Sequence, residues 1–320
     1  MLSDAFPPKT TRYYEALIDP MDPDDPIARQ VRPDPREDVP SPHLATDPLS
    51  EASNSPVPGL VRRFRDRALV LAHGDCPVHC RHCFRRHRRG AGPLAGEAID
   101  GIIRWLSNHP EVREVLVSGG EPLLLTDGAL DHLLGRLLGV PSVRWLRLAT
   151  RIPVVDPGRI TDALTATLRR HAPLHVVTHF NHPRELTSEA VAALARLVDA
   201  GLPVLNQAVL LRGVNDDAAI LEALFTGLVA ARVRPYHLFQ GDLVAGTDHL
   251  RVPTARALEL MDTLRIRVSG LALPTLSVDH PDAPSKITLD RGTVLSTIDG
   301  VTRLRAPDGR VLEYLEPRAR

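Results

Sequence analysis

Six short apolar runs punctuate the chain: ALVLAH (68–73), EVLVS (114–118), VRWLRLAT (143–150), LHVVTHF (174–180), LPVLNQAVL (202–210) and VRPYHLF (233–239). Each is rich in β-branched residues or leucine and reads as a strand. The stretches between them carry helical spacing. In 187–201, TSEAVAALARLVDAG, Thr187 or Ser188 can cap the first turn and Glu189 suits its positive end. Val191, Leu194, Leu197 and Val198 make one apolar face, and Gly201 fits the position just past the last turn. Strands alternating with helices predict βαβ units and a parallel sheet, hence an α/β fold. Six units fall short of the eight that close a barrel. The expectation is a partial (β/α)6 barrel with its site at the carboxyl ends of the strands.

Both ends depart from this rhythm. Residues 1–60 hold twelve of the 29 prolines, and DPMDPDDP (19–26) and RPDPREDVPSP (32–42) admit no regular helix or central strand. Two readings stand for this stretch: an extended arm wrapping the body, with a short helix near Tyr13–Ile18, or a disordered tail. Near the C-terminus, TVLSTIDGVTRLRAPDGRVLEYL sets two Asp-Gly turn signals between alternating runs, which predicts a small β-hairpin appendage. The chain thus divides into an arm (1–60), a barrel (61–270) and a C-terminal segment with the hairpin (271–320).

Charge sharpens the division. The whole chain has 39 basic and 39 acidic residues, which argues against a nucleic-acid or polyanion binder. Residues 1–60 carry eleven acidic and five basic side chains, whereas the remainder carries 28 and 34. No apolar run approaches the ~20 residues of a membrane helix, and the N-terminus shows no basic flank before an apolar stretch. A cytoplasmic protein without membrane contact is expected.

The three cysteines, Cys76, Cys80 and Cys83, lie within eight residues, in HGDCPVHCRHCFRRHRR (73–89), directly after the first strand. An odd number so closely spaced is no disulfide framework. Thiolates suit iron–sulfur clusters and zinc. Three cysteines on a four-iron cube leave one iron open, as catalysis requires. The competing reading is a zinc knuckle closed by His79, His82 or His87.

CPVHCRHCFRR resembles the cluster motif of the radical S-adenosylmethionine enzymes, within them the lysine 2,3-aminomutase branch. The resemblance implies a radical-SAM-type barrel whose [4Fe–4S] cluster, held by Cys76, Cys80 and Cys83, binds S-adenosylmethionine at its open iron. It implies reductive cleavage to a 5′-deoxyadenosyl radical, with a reductant such as flavodoxin or ferredoxin. Ser118, Gly119, Gly120 and Glu121 resemble the segment that holds the methionine part of this cofactor; glycine admits close backbone approach, and Glu121 can accept from an ammonium. THFNHP (178–183) and LNQAVLLRGVND (205–216) also look like stretches of this branch, which brings His179 and Gln207 toward the cofactor.

The branch also uses pyridoxal 5′-phosphate, held by a lysine as a Schiff base. The chain has two lysines, Lys9 and Lys286, and DAPSKITLD (282–290) resembles the family's pyridoxal turn, so the resemblance selects Lys286. Arg63 and Arg67 match positions that hold the phosphate group. Arg85 matches the grip on the substrate carboxylate, and Asp242 and Asp279 match the two acids that bind the ε-ammonium of lysine. Two carboxylates disfavour a substrate with an anionic distal group, so a glutamate-type enzyme is set aside. Gly241 stands where the best-known members carry a zinc-binding cysteine, and none follows Cys83, so no structural zinc is expected. The expected activity is interconversion of L-lysine and β-lysine. The alternatives are an aminomutase acting on lysine for elongation factor P modification, or one acting on arginine. The resemblance leaves room for a homo-oligomer.

Overall fold

In a computed structural model, residues 6–41, 43–88, 90 and 92–318 are described. Nine strands form one sheet in sequence order, from β1 (Leu60–Val61) to β9 (Ile287–Thr288). β2 (Arg67–His73), β3 (Glu114–Gly119), β4 (Trp145–Ala149), β5 (Leu174–Thr178), β6 (Val204–Val209), β7 (Arg234–Phe239) and β8 (Thr275–Val278) run parallel. β1 and β9 pair antiparallel at the two edges, and the sheet does not close on itself.

Each of β2 to β7 returns through a helix, giving the six expected β/α units: Gly96–Ser107, Asp127–Leu138, Asp162–Arg169, Ser188–Asp199, Ala218–Ala230 and Thr254–Arg267. The seventh parallel strand, β8, is short and half polar (TLSV), which is why no apolar run announces it. Burial alternates along the strands. On β2, Ala68, Val70 and Ala72 are buried under the helices, while Leu69, Leu71 and His73 are only half-buried on the opposite face. β4 and β6 repeat the pattern with Arg147 and Gln207 on the half-buried side. The helix-facing surface is packed as a core, and the opposite, concave surface is only half-buried.

The helix Ser188–Asp199 starts where its cap predicts: Thr187 Oγ1 accepts from the Ala190 N–H at 3.1 Å. Gly201 follows it with φ +81°. The buried face, however, is Ala190, Ala193, Leu194 and Leu197, and Val191 is 38% exposed. Ala190 and Ala193 are fully buried, which rotates the face away from that expected.

The arm is ordered against the body. Its helix is Arg12–Glu15, shorter than expected, and Phe6, Tyr14, Ile18, Ile27 and Val31 are buried. It crosses the loops at the carboxyl ends of β4 and β5: Thr11 Oγ1 donates to the Val155 carbonyl at 2.5 Å, Tyr14 Oη to Glu185 at 2.6 Å, and Arg184 pairs with Asp25 at 2.7 Å. Farther along, Ala45 bridges to Val244 after β7.

At the C-terminus, β10 (Val294–Ile298), β11 (Val301–Arg305) and β12 (Val311–Leu315) form a separate antiparallel sheet. The expected hairpin is therefore two hairpins sharing β11. The first turns at Asp299-Gly300, both with positive φ, and the second at Asp308-Gly309.

Candidate active site

The cysteine loop leaves β2 at its carboxyl end. His73 Nδ1 accepts from the Asp75 N–H at 3.0 Å and starts the turn. The end of β3 packs directly on it: Gly120 N donates to the His73 carbonyl at 2.7 Å, and Glu121 N to the Asp75 carbonyl at 2.8 Å. A Cβ on Gly119 would stand 2.6 Å from the His73 carbonyl, and one on Gly120 would overlap that of Asp75. Both glycines are thus demanded by the cysteine loop's own backbone.

All three thiols are free. Burial, then the neighbouring Cys80 and Cys83, push the Cys76 thiol well up; burial and Cys80 push Cys83 up to about 11. Neutral thiols are favoured only while nothing positive binds them. Arg151 supplies one cation, with Nη1 donating to Cys80 Sγ at 2.7 Å. Three mutually felt sulfurs with a guanidinium aimed at one of them fit a cysteine-ligated iron–sulfur cluster. The three histidines weighed for zinc are otherwise engaged: His79 stacks on Phe6 and His82 on His179, while His87 Nε2 contacts the Ala245 carbonyl at 3.0 Å. Among the described residues, no group of three or more His, Cys, Asp or Glu side chains is placed to hold a single metal ion.

The loop is braced by charge. Arg81 and Arg86, flanking Cys83, both donate to Glu37 of the arm, and all three side chains are fully buried. Arg151 is held in turn by Tyr14 Oη (2.9 Å), Gln30 Oε1 (2.6 Å) and Glu185 Oε1 (2.9 Å).

The residues expected around S-adenosylmethionine sit on this rim in different states. Glu121 accepts from the Leu123 N–H (3.0 Å), Thr150 Oγ1 (2.7 Å) and the Arg151 N–H (2.8 Å), so both its oxygens are engaged by the chain; burial still pushes it up to about 7. His179 is pushed down to about 3 by burial and by Arg151. Ser118 and Gln207 are half-buried, at the end of β3 and on the concave side of β6.

Across the concave face lies a second group. Lys286 Nζ donates to Asp279 Oδ2 at 2.5 Å and stands 4.7 Å from the centre of the Phe239 ring. Arg63 Nη1 is 3.8 Å from Asp279 Oδ1, and its Nη2 donates to the His280 carbonyl at 2.8 Å. Burial raises the Asp279 carboxyl, but Lys286 and Arg63 outweigh it and hold it below its ordinary value. Asp242 is pushed up to about 7 by burial and by the Asp279 charge, against the opposing fields of Lys286, Arg63 and Arg85. One electrostatic neighbourhood therefore contains Asp242, Asp279, Lys286, Arg63 and Arg85. Arg67 is not brought into it: at the other end of β2 it pairs with Asp66 at 3.0 Å and stacks 4.2 Å from Phe64.

Residues 72–224 match the Radical SAM superfamily. The chain is 41% identical over 309 residues to L-lysine 2,3-aminomutase of Clostridium subterminale, covering 96% of this chain and 74% of that one. The chain belongs to the lysine 2,3-aminomutase family of radical SAM enzymes. The family is not uniform in substrate: glutamate 2,3-aminomutase of Clostridioides difficile is 37% identical, over 94% of this chain and 72% of its own length. The solved structure of native anSMEcpe with bound AdoMet and Cp18Cys peptide shares the fold, at TM-score 0.50 and 12% identity over 63% of this chain and 58% of that one. As a member of this family the chain is an isomerase, and the family implies the [4Fe–4S] cluster and S-adenosylmethionine.

Sequence reasoning missed Glu37, Glu51 and Arg151. Arg151 follows the third strand run, VRWLRLAT, directly and could have been found as a charge at a strand's carboxyl end. The two glutamates lie in the arm, where the acidic excess was the only signal.

Proposed function

We propose that this enzyme moves the α-amino group of L-lysine to the β-carbon, forming β-lysine, with pyridoxal phosphate held by Lys286. Bound together, the cluster and S-adenosylmethionine supply a hydrogen-abstracting radical, and pyridoxal phosphate supplies the π-system through which an amino group migrates. The chain's own residues supply placement. Cys76, Cys80 and Cys83 hold the cluster, and Ser118, Gly119, Gly120, Glu121, His179 and Gln207 form the rim on which S-adenosylmethionine is placed. Lys286 presents a primary amine beside Phe239, whose ring offers an apolar wall, and Arg63 offers a guanidinium to a phosphate or phenolate oxygen. Arg67 is assigned to the phosphate group by the resemblance alone.

The observation that carries the substrate reading is the pair Asp242 and Asp279. Two carboxylates share one half-buried neighbourhood, and among the described residues Asp242 has no cationic hydrogen-bond partner of its own. An ammonium from the substrate relieves both the repulsion and the desolvation that raise Asp242. When Lys286 engages pyridoxal phosphate, Asp279 loses its present partner and faces the same ammonium. A distal carboxylate would add a third negative charge, which disfavours glutamate by several kcal/mol. Arg85 binds the other end of the substrate, its carboxylate.

The test is parallel incubation of the reconstituted enzyme with lysine, arginine and glutamate. Amino migration in lysine is expected. Migration only in glutamate would overturn the reading, and preference for arginine would keep the acidic pair but reassign the substrate.

A further inference from the structure

Arg85 is not a free guanidinium awaiting a carboxylate. Its Nε lies 2.9 Å from Glu51 Oε2 and its Nη2 2.6 Å from Glu51 Oε1, a side-on bidentate pair. Its plane rests on the Phe84 ring at 4.4 Å, and Nη1 lies 3.5 Å from the Gly119 carbonyl. The other long edge, formed by Nη1 and Nη2, makes no charged contact among the described residues. Glu51 itself is 3% exposed and rigidly seated. Asp47 accepts from the backbone N–H groups of Glu51 and Ala52, both at 2.9 Å, and Ser55 Oγ donates to the Glu51 carbonyl at 2.8 Å.

We infer that Glu51 is the positioning residue for the substrate carboxylate: it grips one edge of Arg85 so that the opposite edge is presented to substrate. This rests on the reading of Arg85 as the carboxylate grip. Charge counting supports it. A lone Arg85–Glu51 pair is neutral and would attract a second carboxylate only weakly. Arg88 Nη1, however, stands 3.5 Å from Glu51 Oε2, so the group carries one net positive charge. A guanidinium already fixed in plane and direction loses little freedom when substrate binds, which is how preorganisation strengthens binding. The arm, not the barrel, provides this element.

The experiment compares Glu51→Gln and Glu51→Asp with the wild-type holoenzyme. In Glu51→Gln the amide offers one acceptor and turns two donors toward a donor-only guanidinium, so Arg85 swings. The KM for lysine should rise about tenfold or more. Inhibition by 1,5-diaminopentane, which has the two amines of lysine but no carboxylate, should not change. Glu51→Asp keeps the charge and should recover most of the lost affinity. An unchanged KM, or equal weakening of lysine and diaminopentane, would overturn the inference. A crystal structure of Glu51→Gln decides independently of turnover: Arg85 in its wild-type orientation would also overturn it. If the wild-type enzyme fails to act on lysine, the substrate reading falls, while the Arg85 orientation still judges the role of Glu51.

Discussion

Two appendages flank the barrel, and they hold the site by different physics. The arm works through charge. Glu37 binds Arg81 and Arg86, Glu51 binds Arg85 and Arg88, and these arginines flank Cys83. Beside the two aspartates, the C-terminal sheet works through neutral contacts to backbone, while Arg251 donates to the Leu315 carbonyl farther along. Tyr314 Oη donates to the Gly241 carbonyl at 2.7 Å, beside Asp242, and the His280 ring, beside Asp279, meets the Glu313 carbonyl at 3.1 Å. Each appendage therefore stands behind one end of the proposed substrate: the arm behind the carboxylate grip, the sheet behind the ammonium grip. Charged bracing fixes direction but is costly to interrupt, because a deserted buried ion has no water to turn to. Neutral bracing is weaker and more forgiving.

The largest effect tests the site between them. Lys286→Ala should abolish pyridoxal-dependent absorbance and turnover together, as measured on the reconstituted protein; full activity would remove Lys286 from its role. Next comes the arm. Glu37→Gln leaves two fully buried arginines short of a carboxylate, and about 3–5 kcal/mol of stability should go, read by denaturant unfolding of the apo protein. Loss below about 1 kcal/mol would mean that the arm's charges are incidental.

The ammonium end responds to pH. Asp242 has a folded value of about 7, above its ordinary range, so the folded protein holds a proton there that the unfolded chain has lost. Stability from this group is fully present below about pH 4 and falls as pH rises toward about 7. Substrate binding runs the opposite way, because an ammonium needs the ionised carboxylate. The KM for lysine should therefore rise as pH drops below about 7, and Asp242→Asn should raise KM and flatten that profile. The smallest effect belongs to the sheet: Tyr314→Phe should cost about 1 kcal/mol.

What the sequence disclosed follows the same divide. The cysteine loop was readable because its chemistry is local, three thiols in eight residues, and the strand runs were readable because their burial is periodic. The helix at 188–199 was found with its cap but with a misplaced face, since buried alanine carries little hydrophobic signal. The reason for Gly119 and Gly120 was also different: they accommodate the cysteine loop's carbonyls rather than a ligand alone. The arm was ambiguous because its order comes from pairs distant in sequence; Glu37 lies 44 residues from Arg81, and Glu51 lies 34 from Arg85. No periodicity reports such contacts. Only the opposed charges of residues 1–60 and the remainder hinted that one would seek the other.

The most direct test follows the hydrogen. The anaerobically reconstituted enzyme, reduced and supplied with S-adenosylmethionine and pyridoxal phosphate, is given lysine deuterated at the β-carbon, and 5′-deoxyadenosine and amino acids are analysed by mass. The account predicts deuterium in 5′-deoxyadenosine together with β-lysine, both lost when pyridoxal phosphate is withheld. Unlabelled 5′-deoxyadenosine and unchanged lysine would contradict it.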